Sequence, residues 1–154
     1  MILVDVNLLI YVYTDTLPQH DQAREWFDAQ MTDGVRMGMP WHSLLGFLRM
    51  VTNPRIFSET RGLKASWEQV EAWLDRPNVW IPQTGPRHRE IVGRLLDNLG
   101  GGPGLVSDAH LAALAIEHGL TLCSTDGDFA RFAGLRWQNP IRVASSNPRM
   151  GLKE

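Results

Sequence analysis

A single cysteine, Cys123, is the only thiol in this 154-residue sequence. One thiol cannot close a disulfide within the chain, and it argues against a cysteine-based zinc site. Cys123 stands in an apolar run, which predicts a small core residue. An excess of positive charge is missing too: the formal net charge is -2. A nucleic-acid binder usually shows a basic surplus. An acidic metal site remains compatible with this balance, because a bound cation offsets its carboxylates. No apolar run is long enough to span a bilayer, and the opening Met1 to Tyr13 is interrupted by Asp5 and Asn7 and lacks the basic start of a signal peptide. The expected location is therefore the cytoplasm, with no membrane partner. Repeats and low-complexity linkers are absent from the sequence as well.

Hydrophobic residues make up 44% and charged residues 21%, the mix of an ordinary globular chain. The length suits one domain, expected over 1–145, followed by a polar tail over 146–154. Ile2-Leu3-Val4 is a fully apolar run that suits a strand buried on both faces. Leu8, Leu9, Tyr11 and Val12 then suit a first helix, and Ala23, Trp26 and Phe27 a second one opening after Pro18. Val35 to Met39 is a second strand candidate, stopped by Pro40. Trp41 to Val51 reads as a helix facing inward through Leu44, Leu45, Leu48 and Val51. Ser66 with Gln69 has the pattern of a capping box opening a helix with Val70 and Trp73.

Val79 to Ile81 is a third strand, and Pro86 to Leu99 a helix closed by Gly100-Gly101-Gly102-Pro103. Ser107 to His118 is a helix with Gly119 as its C-terminal cap, and Leu120 to Ser124 a fourth strand. A short helix over Asp126 to Phe132 and an edge strand at Leu135-Arg136-Trp137 complete the series. Strands alternating with helices predict an α/β fold in three layers, a parallel sheet of four to five strands with helices on both faces.

Three carboxylates stand at element ends: Asp5 after the first strand, Asp108 at the start of the helix following the glycine break, and Asp126 after the fourth strand. Ligands of open parallel sheets bind beyond the carboxyl ends of the strands. Asp5 and Asp126 reach one rim if their strands are neighbours, and crowded carboxylates there favour a hard divalent cation. Asp108 and Asp126 each have the alternative of capping a helix. Asp5 is harder to explain that way, since a carboxylate beside a buried strand is costly unless paired or metal-bound.

These residues also carry a resemblance. Met1-Ile2-Leu3-Val4-Asp5-Val6-Asn7-Leu8-Leu9-Ile10-Tyr11 resembles the opening of PIN domains, and in particular of VapC-type toxins from toxin–antitoxin pairs. Trp41 to Arg49 with Thr52-Asn53-Pro54-Arg55, Ser107 to Ala115 with Gly119, and Ser124-Thr125-Asp126-Gly127-Asp128-Phe129 with Phe132 resemble three further blocks, in the family's order.

The resemblance implies a metal-dependent endoribonuclease using Mg2+ or Mn2+, the toxin of a type II pair, cutting transfer or ribosomal RNA to stop translation. It implies a VapB-type antitoxin and a homodimer. By position, Asp5, Asp108 and Asp126 match the metal-binding acids, Asp128 an assisting acid, and Asn7 and Thr125 polar residues lining the site. The family's second block usually carries a glutamate where this chain has Gly46. That departure supports an alternative, a catalytically weakened PIN-fold binding or scaffold module. Receiver-like and phosphatase readings fare worse, because no phosphoacceptor or paired-aspartate motif is present.

Arg49, Arg55, Arg61 and Lys64 cluster around a single acid, Glu59, and form a candidate RNA contact or simply a solvated surface. Trp41, Trp67, Trp73 and Trp80 read as core or interface anchors. His42, His110 and His118 are not needed for metal-assisted hydrolysis; His118 suits a cation at a helix C-terminus and His110 a surface position on its helix.

Overall fold

The computed structural model describes residues 1–141. The polar tail expected over 146–154 lies outside the described residues. Five short parallel strands alternate with six helices: β1 (Ile2–Val4), α1 (Val6–Tyr13), α2 (His20–Thr32), β2 (Met37–Gly38), α3 (Trp41–Val51), α4 (Gly62–Leu74), β3 (Val79–Trp80), α5 (His88–Asp97), α6 (Gly104–His118), β4 (Thr121–Cys123) and β5 (Arg136–Gln138), with a 3-10 turn over Gly127–Arg131 before β5. The sheet order is β3-β2-β1-β4-β5. The chain moves outward from β1 to β3 on one side, then returns to place β4 on the other side of β1. The crevice above β1 and β4 is therefore the point where strand order reverses, the place where open α/β sheets bind ligands.

Strand alternation divides the interior into two layers. Ile2, Val4, Met37, Met39 and Cys123 pack with α1, α2, α3 and α4, whereas Leu3 and Leu122 face α5 and α6. Cys123 is fully buried, as its apolar setting predicts, and the same burial pushes its thiol up to about 11. Gly119 ends α6 at φ 66°, a left-handed conformation in which a Cβ would be strained.

Three local expectations are corrected. Ser66 does not open a helix: α4 starts at Gly62, and the Ser66 hydroxyl donates to the Gly62 carbonyl at 2.9 Å from within the helix. Leu45 points outward and is 56% exposed, because the inward stripe of α3 is Leu44, Phe47, Leu48 and Val51. α6 begins at Gly104 rather than Ser107, so Asp108 lies in its second turn.

Candidate metal and catalytic centre

Asp5 leaves β1 and caps α1. Its Oδ1 accepts the Val6 N–H at 2.7 Å, and its Oδ2 accepts the Ser124 hydroxyl at 2.6 Å. Ser124 follows β4 directly, and its oxygen also accepts the backbone N–H of Asp126 at 3.0 Å and the Asn7 side-chain amide at 3.2 Å. One hydroxyl thus ties the ends of β1 and β4 together. Trp137 on β5 steadies the same residue by donating its indole N–H to the Ser124 carbonyl at 3.1 Å.

Asp5 is 7% exposed. Burial pushes its carboxyl above the usual range, against its hydrogen bonds from Ser124 and Val6, and the charge of Asp126 pushes the same way. Asp108 is pushed up to about 6, first by burial and then by the charges of Asp126, Asp5 and Asp128. The charge of Asp126 thus opposes the ionisation of both Asp5 and Asp108, as neighbouring carboxylates do. The second-turn position removes the helix-cap alternative for Asp108. Asp126 does serve as a cap: its carboxylate accepts the Asp128 N–H at 2.9 Å. Capping and membership of the acid rim coincide in this residue. Asp128 lies at the exposed edge, 3.3 Å from the Arg131 guanidinium.

Among the described residues, no three acidic, histidine or cysteine side chains form a ready-made cage of direct ligands. The residues fit a divalent cation nonetheless. Magnesium keeps several waters and often takes only one or two carboxylates. The donor set is oxygen, which suits a hard cation. The side-chain oxygen of Asn7 supplies an independent sign, being buried with no hydrogen-bond partner. A buried orphan acceptor is costly unless something outside the protein satisfies it.

Gly46 lies opposite Val6, where α3 crosses α1; a Cβ there would stand 3.2 Å from Val6 Cγ2. Position 46 therefore points at the residue next to Asp5, and its lack of a side chain also lets the two helices approach closely.

The hydroxyl that joins the site is that of Ser124, one residue before the expected Thr125. The sequence offered only a serine at a strand end as a signal, and the carboxylate it holds, Asp5, is 119 residues away. His110 is also corrected: it is half-buried rather than a surface histidine, and its Nδ1 lies 3.0 Å from His88 Nε2. Burial, followed by the charges of His88 and His42, lowers its pKa. His118 does end α6, with Nε2 2.7 Å from the Gln83 carbonyl.

The basic cluster is partly paired. Arg61 lies 3.4 Å from Asp15 and over the Tyr13 ring, and Lys64 lies 3.8 Å from Glu68. Tyr13 ends α1 and Asp5 precedes its start, so Arg61 stands about 12 Å along the helix from the acid rim. Arg49 and Arg55 are exposed.

Known proteins resemble the chain over most of its length. The PIN domain profile matches residues 2–135. Ribonuclease VapC33 of Mycobacterium tuberculosis is 39% identical over 142 residues, covering 92% of this chain and 99% of the relative. Ribonuclease VapC37 of the same organism is 39% identical over 140 residues, covering 91% and 97%. The crystal structure of VapBC2 from Rickettsia felis, bound to a promoter DNA fragment, shares the fold with a TM-score of 0.66 at 17% identity, covering 90% of this chain and 98% of that one. Profile, relatives and fold converge: the chain belongs to the PIN-domain family, among the VapC ribonucleases.

Proposed function

We propose that this chain is the toxin of a type II toxin–antitoxin pair, a cytoplasmic endoribonuclease whose Asp5, Asp108 and Asp126 hold Mg2+ or Mn2+ while Asp128 assists. VapC ribonucleases of the PIN family generally depend on a divalent metal. The observation that carries the assignment of residues is geometric: Asp5 beyond β1 and Asp126 beyond β4 meet at the crevice where strand order reverses, both tied to the Ser124 hydroxyl, and Asp108 lies near enough to feel the charge of both. A bound divalent cation supplies polarisation of a phosphate oxygen and acidification of a water.

The protein's contribution is position. Asp5 is locked by the Val6 N–H and the Ser124 hydroxyl, so its carboxylate cannot rotate away from the rim. Asp126 is held by its own backbone bond to Ser124, and Asn7, whose amide N–H donates to the same hydroxyl oxygen, keeps a buried side-chain oxygen without a partner. Ser124 is fully buried and so out of reach of a phosphodiester, which leaves water as the attacking group. Thr125 lines the site beside it. Transfer or ribosomal RNA is the substrate class.

A VapB-type antitoxin and a second copy of the chain are the expected protein partners. Trp41, Leu45, Ile56, Leu63 and Trp67 leave apolar surface exposed, which suits such contacts. A basic side chain from the antitoxin would pair with the acid rim and block it. Among the described residues, no helix is long and apolar enough to cross a membrane.

The test is cleavage of cellular RNA by the purified chain. Asp5→Asn is expected to abolish it with the fold intact by circular dichroism, as is excess chelator on the unaltered protein. Cleavage surviving both treatments would refute the metal mechanism.

A further inference from the structure

A second polar line runs through the molecule that the hydrolysis scheme leaves unused. Glu117 on α6 has only 8% of its side chain exposed. Its Oε2 accepts the Gly85 N–H at 2.9 Å and its Oε1 the Arg87 N–H at 3.0 Å, so the loop between β3 and α5 wraps around the carboxylate. A Cβ at Gly85 would stand 2.5 Å from Oε1, so the loop leaves no room there for a side chain. Oε2 also lies 3.5 Å from Nδ1 of His88, a buried nitrogen that makes no hydrogen bond of ordinary length. On the other side of that ring, His88 Nε2 lies 3.0 Å from His110 Nδ1, with the two rings edge to face at 4.9 Å. His110 meets His42 edge to face at 5.6 Å. His42 is exposed in the first turn of α3 and close enough for its charge to act on Asp5. The line Glu117–His88–His110–His42 thus leads from a buried carboxylate to the acid rim.

Stability alone does not account for it. Well-packed apolar side chains fill such space at no greater cost than a buried carboxylate with partly satisfied imidazoles. Holding the loop explains the two backbone bonds of Glu117 but not the facing of His88 towards it, nor the pairing of His88 with His110.

The line does have a direction. A carboxylate facing Nδ1 of His88 favours the proton on that nitrogen, as it does for metal-binding and catalytic histidines. With both imidazoles neutral, His88 Nε2 then accepts and His110 donates through Nδ1. This leaves Nε2 of His110 as an acceptor. Phosphate oxygens cannot satisfy an acceptor; along the backbone of an RNA strand the ribose 2′-hydroxyl is the group that can donate.

We propose that Glu117, acting through His88, is a positioning residue that orients His110 to accept a hydrogen bond from a ribose 2′-hydroxyl, with His42 beside it at the edge of the acid rim. The inference rests on the reading above that RNA lies along this rim. It assigns to this chain a subsite that distinguishes RNA from DNA by its sugar.

The probes are fluorescein-labelled oligouridylate and oligodeoxyuridylate, identical in base and different at the 2′ position. Binding is read by anisotropy on the full chain carrying Asp5→Asn, so that cleavage does not interfere. The ribose form is expected to bind about tenfold more tightly, the size of one net hydrogen bond. His110→Leu should bring the ratio close to one. Glu117→Gln should do the same without touching RNA, and in combination with His110→Leu it should add nothing further. If Glu117→Gln does not fold, His88→Gln interrupts the same line.

A purely structural Glu117 would lower the melting temperature and leave the sugar preference intact, which would overturn the proposal. Equal binding of the two probes by the starting protein, or no binding of either, would overturn it as well. Failure of the acid-rim reading is recognised separately, by cleavage that survives Asp5→Asn, while the ratio of the two probes still judges the imidazole line.

Discussion

The Ser124 hydroxyl donates to Asp5 Oδ2 at 2.6 Å across the seam between β1 and β4, joining residues 119 apart in the chain. Both residues are buried, and the same hydroxyl oxygen accepts from Asn7 and from the Asp126 backbone. A single side chain therefore organises the position of two of the three proposed metal ligands.

Ser124→Ala is expected to cost about 1–3 kcal/mol of stability, because it strips a buried carboxylate of a donor and leaves two N–H groups without an acceptor. Cleavage should fall at least tenfold more than this loss of stability explains at temperatures where the variant is fully folded. Urea denaturation together with initial cleavage rates checks both. Unchanged activity in a folded Ser124→Ala protein would mean that Asp5 and Asp126 hold their places without it.

The pH dependence of the metal-free protein has a defined sign. Asp108 is a carboxylic acid raised from an ordinary 3.8 to about 6 in the folded chain, so the folded state binds this proton more tightly than the unfolded one. Its contribution makes stability fall as pH rises from about 4 to about 6 and then level off. Glu117 is lowered: its burial is outweighed by the N–H groups of Gly85 and Arg87 and the neighbouring histidines, so its contribution is lost as pH falls. The two act in opposite directions, and Asp108→Asn separates them. That variant should be more stable than the parent at pH 8, and the difference should vanish towards pH 4. A difference in melting temperature that does not change with pH would contradict this origin of the shift.

Mn2+ should raise the melting temperature more at pH 8 than at pH 5, since the cation competes with protons for the same carboxylates. Asp5→Asn and Asp108→Asn should each remove most of the effect. Differential scanning fluorimetry over a metal titration tests this. An equal rise in all three proteins would place the cation elsewhere.

Gly46→Glu is expected to tighten Mn2+ binding while leaving stability nearly unchanged. Replacing an interior helical glycine contributes about 0.5–1 kcal/mol. Pressing a Cβ to 3.2 Å from Val6 Cγ2 offsets that gain by a comparable amount, at the low end of overpacking costs. The added carboxylate brings one more charge to the rim beside Asp5, and Asp128→Asn should then matter less than it does in the parent chain. Calorimetry on the single and double variants measures this coupling. No gain in affinity from a folded Gly46→Glu protein would assign the glycine to helix packing alone.

Elements set by neighbouring residues were legible in the sequence. The apolar triplet Ile2-Leu3-Val4, the extent of α3 over Trp41–Val51 and the left-handed cap at Gly119 depend on side-chain period and backbone sterics over a few residues, and each stands where expected, although the inward stripe of α3 takes Phe47 in place of Leu45. The resemblance of four ordered blocks indicated the family for the same reason, since each block is a short local pattern. Local reading failed where a residue had two local solutions: Ser66 fits a cap as well as a buried helical position, and packing of α4 against α3 selected the second.

The sequence by itself determined which residues are acidic and that Asp5 and Asp126 follow strands. Only the tertiary structure decided that those strands are neighbours, because the reversal of strand order at β1 and β4 arises from how helices cover two faces of one sheet. It likewise decided that Ser124 clamps Asp5, that Arg61 pairs with Asp15 at the other end of α1, and that His88 reaches His110. These contacts join segments 22 to 119 residues apart. Their geometry comes from strand register and helix packing, and no periodicity within a single segment encodes it.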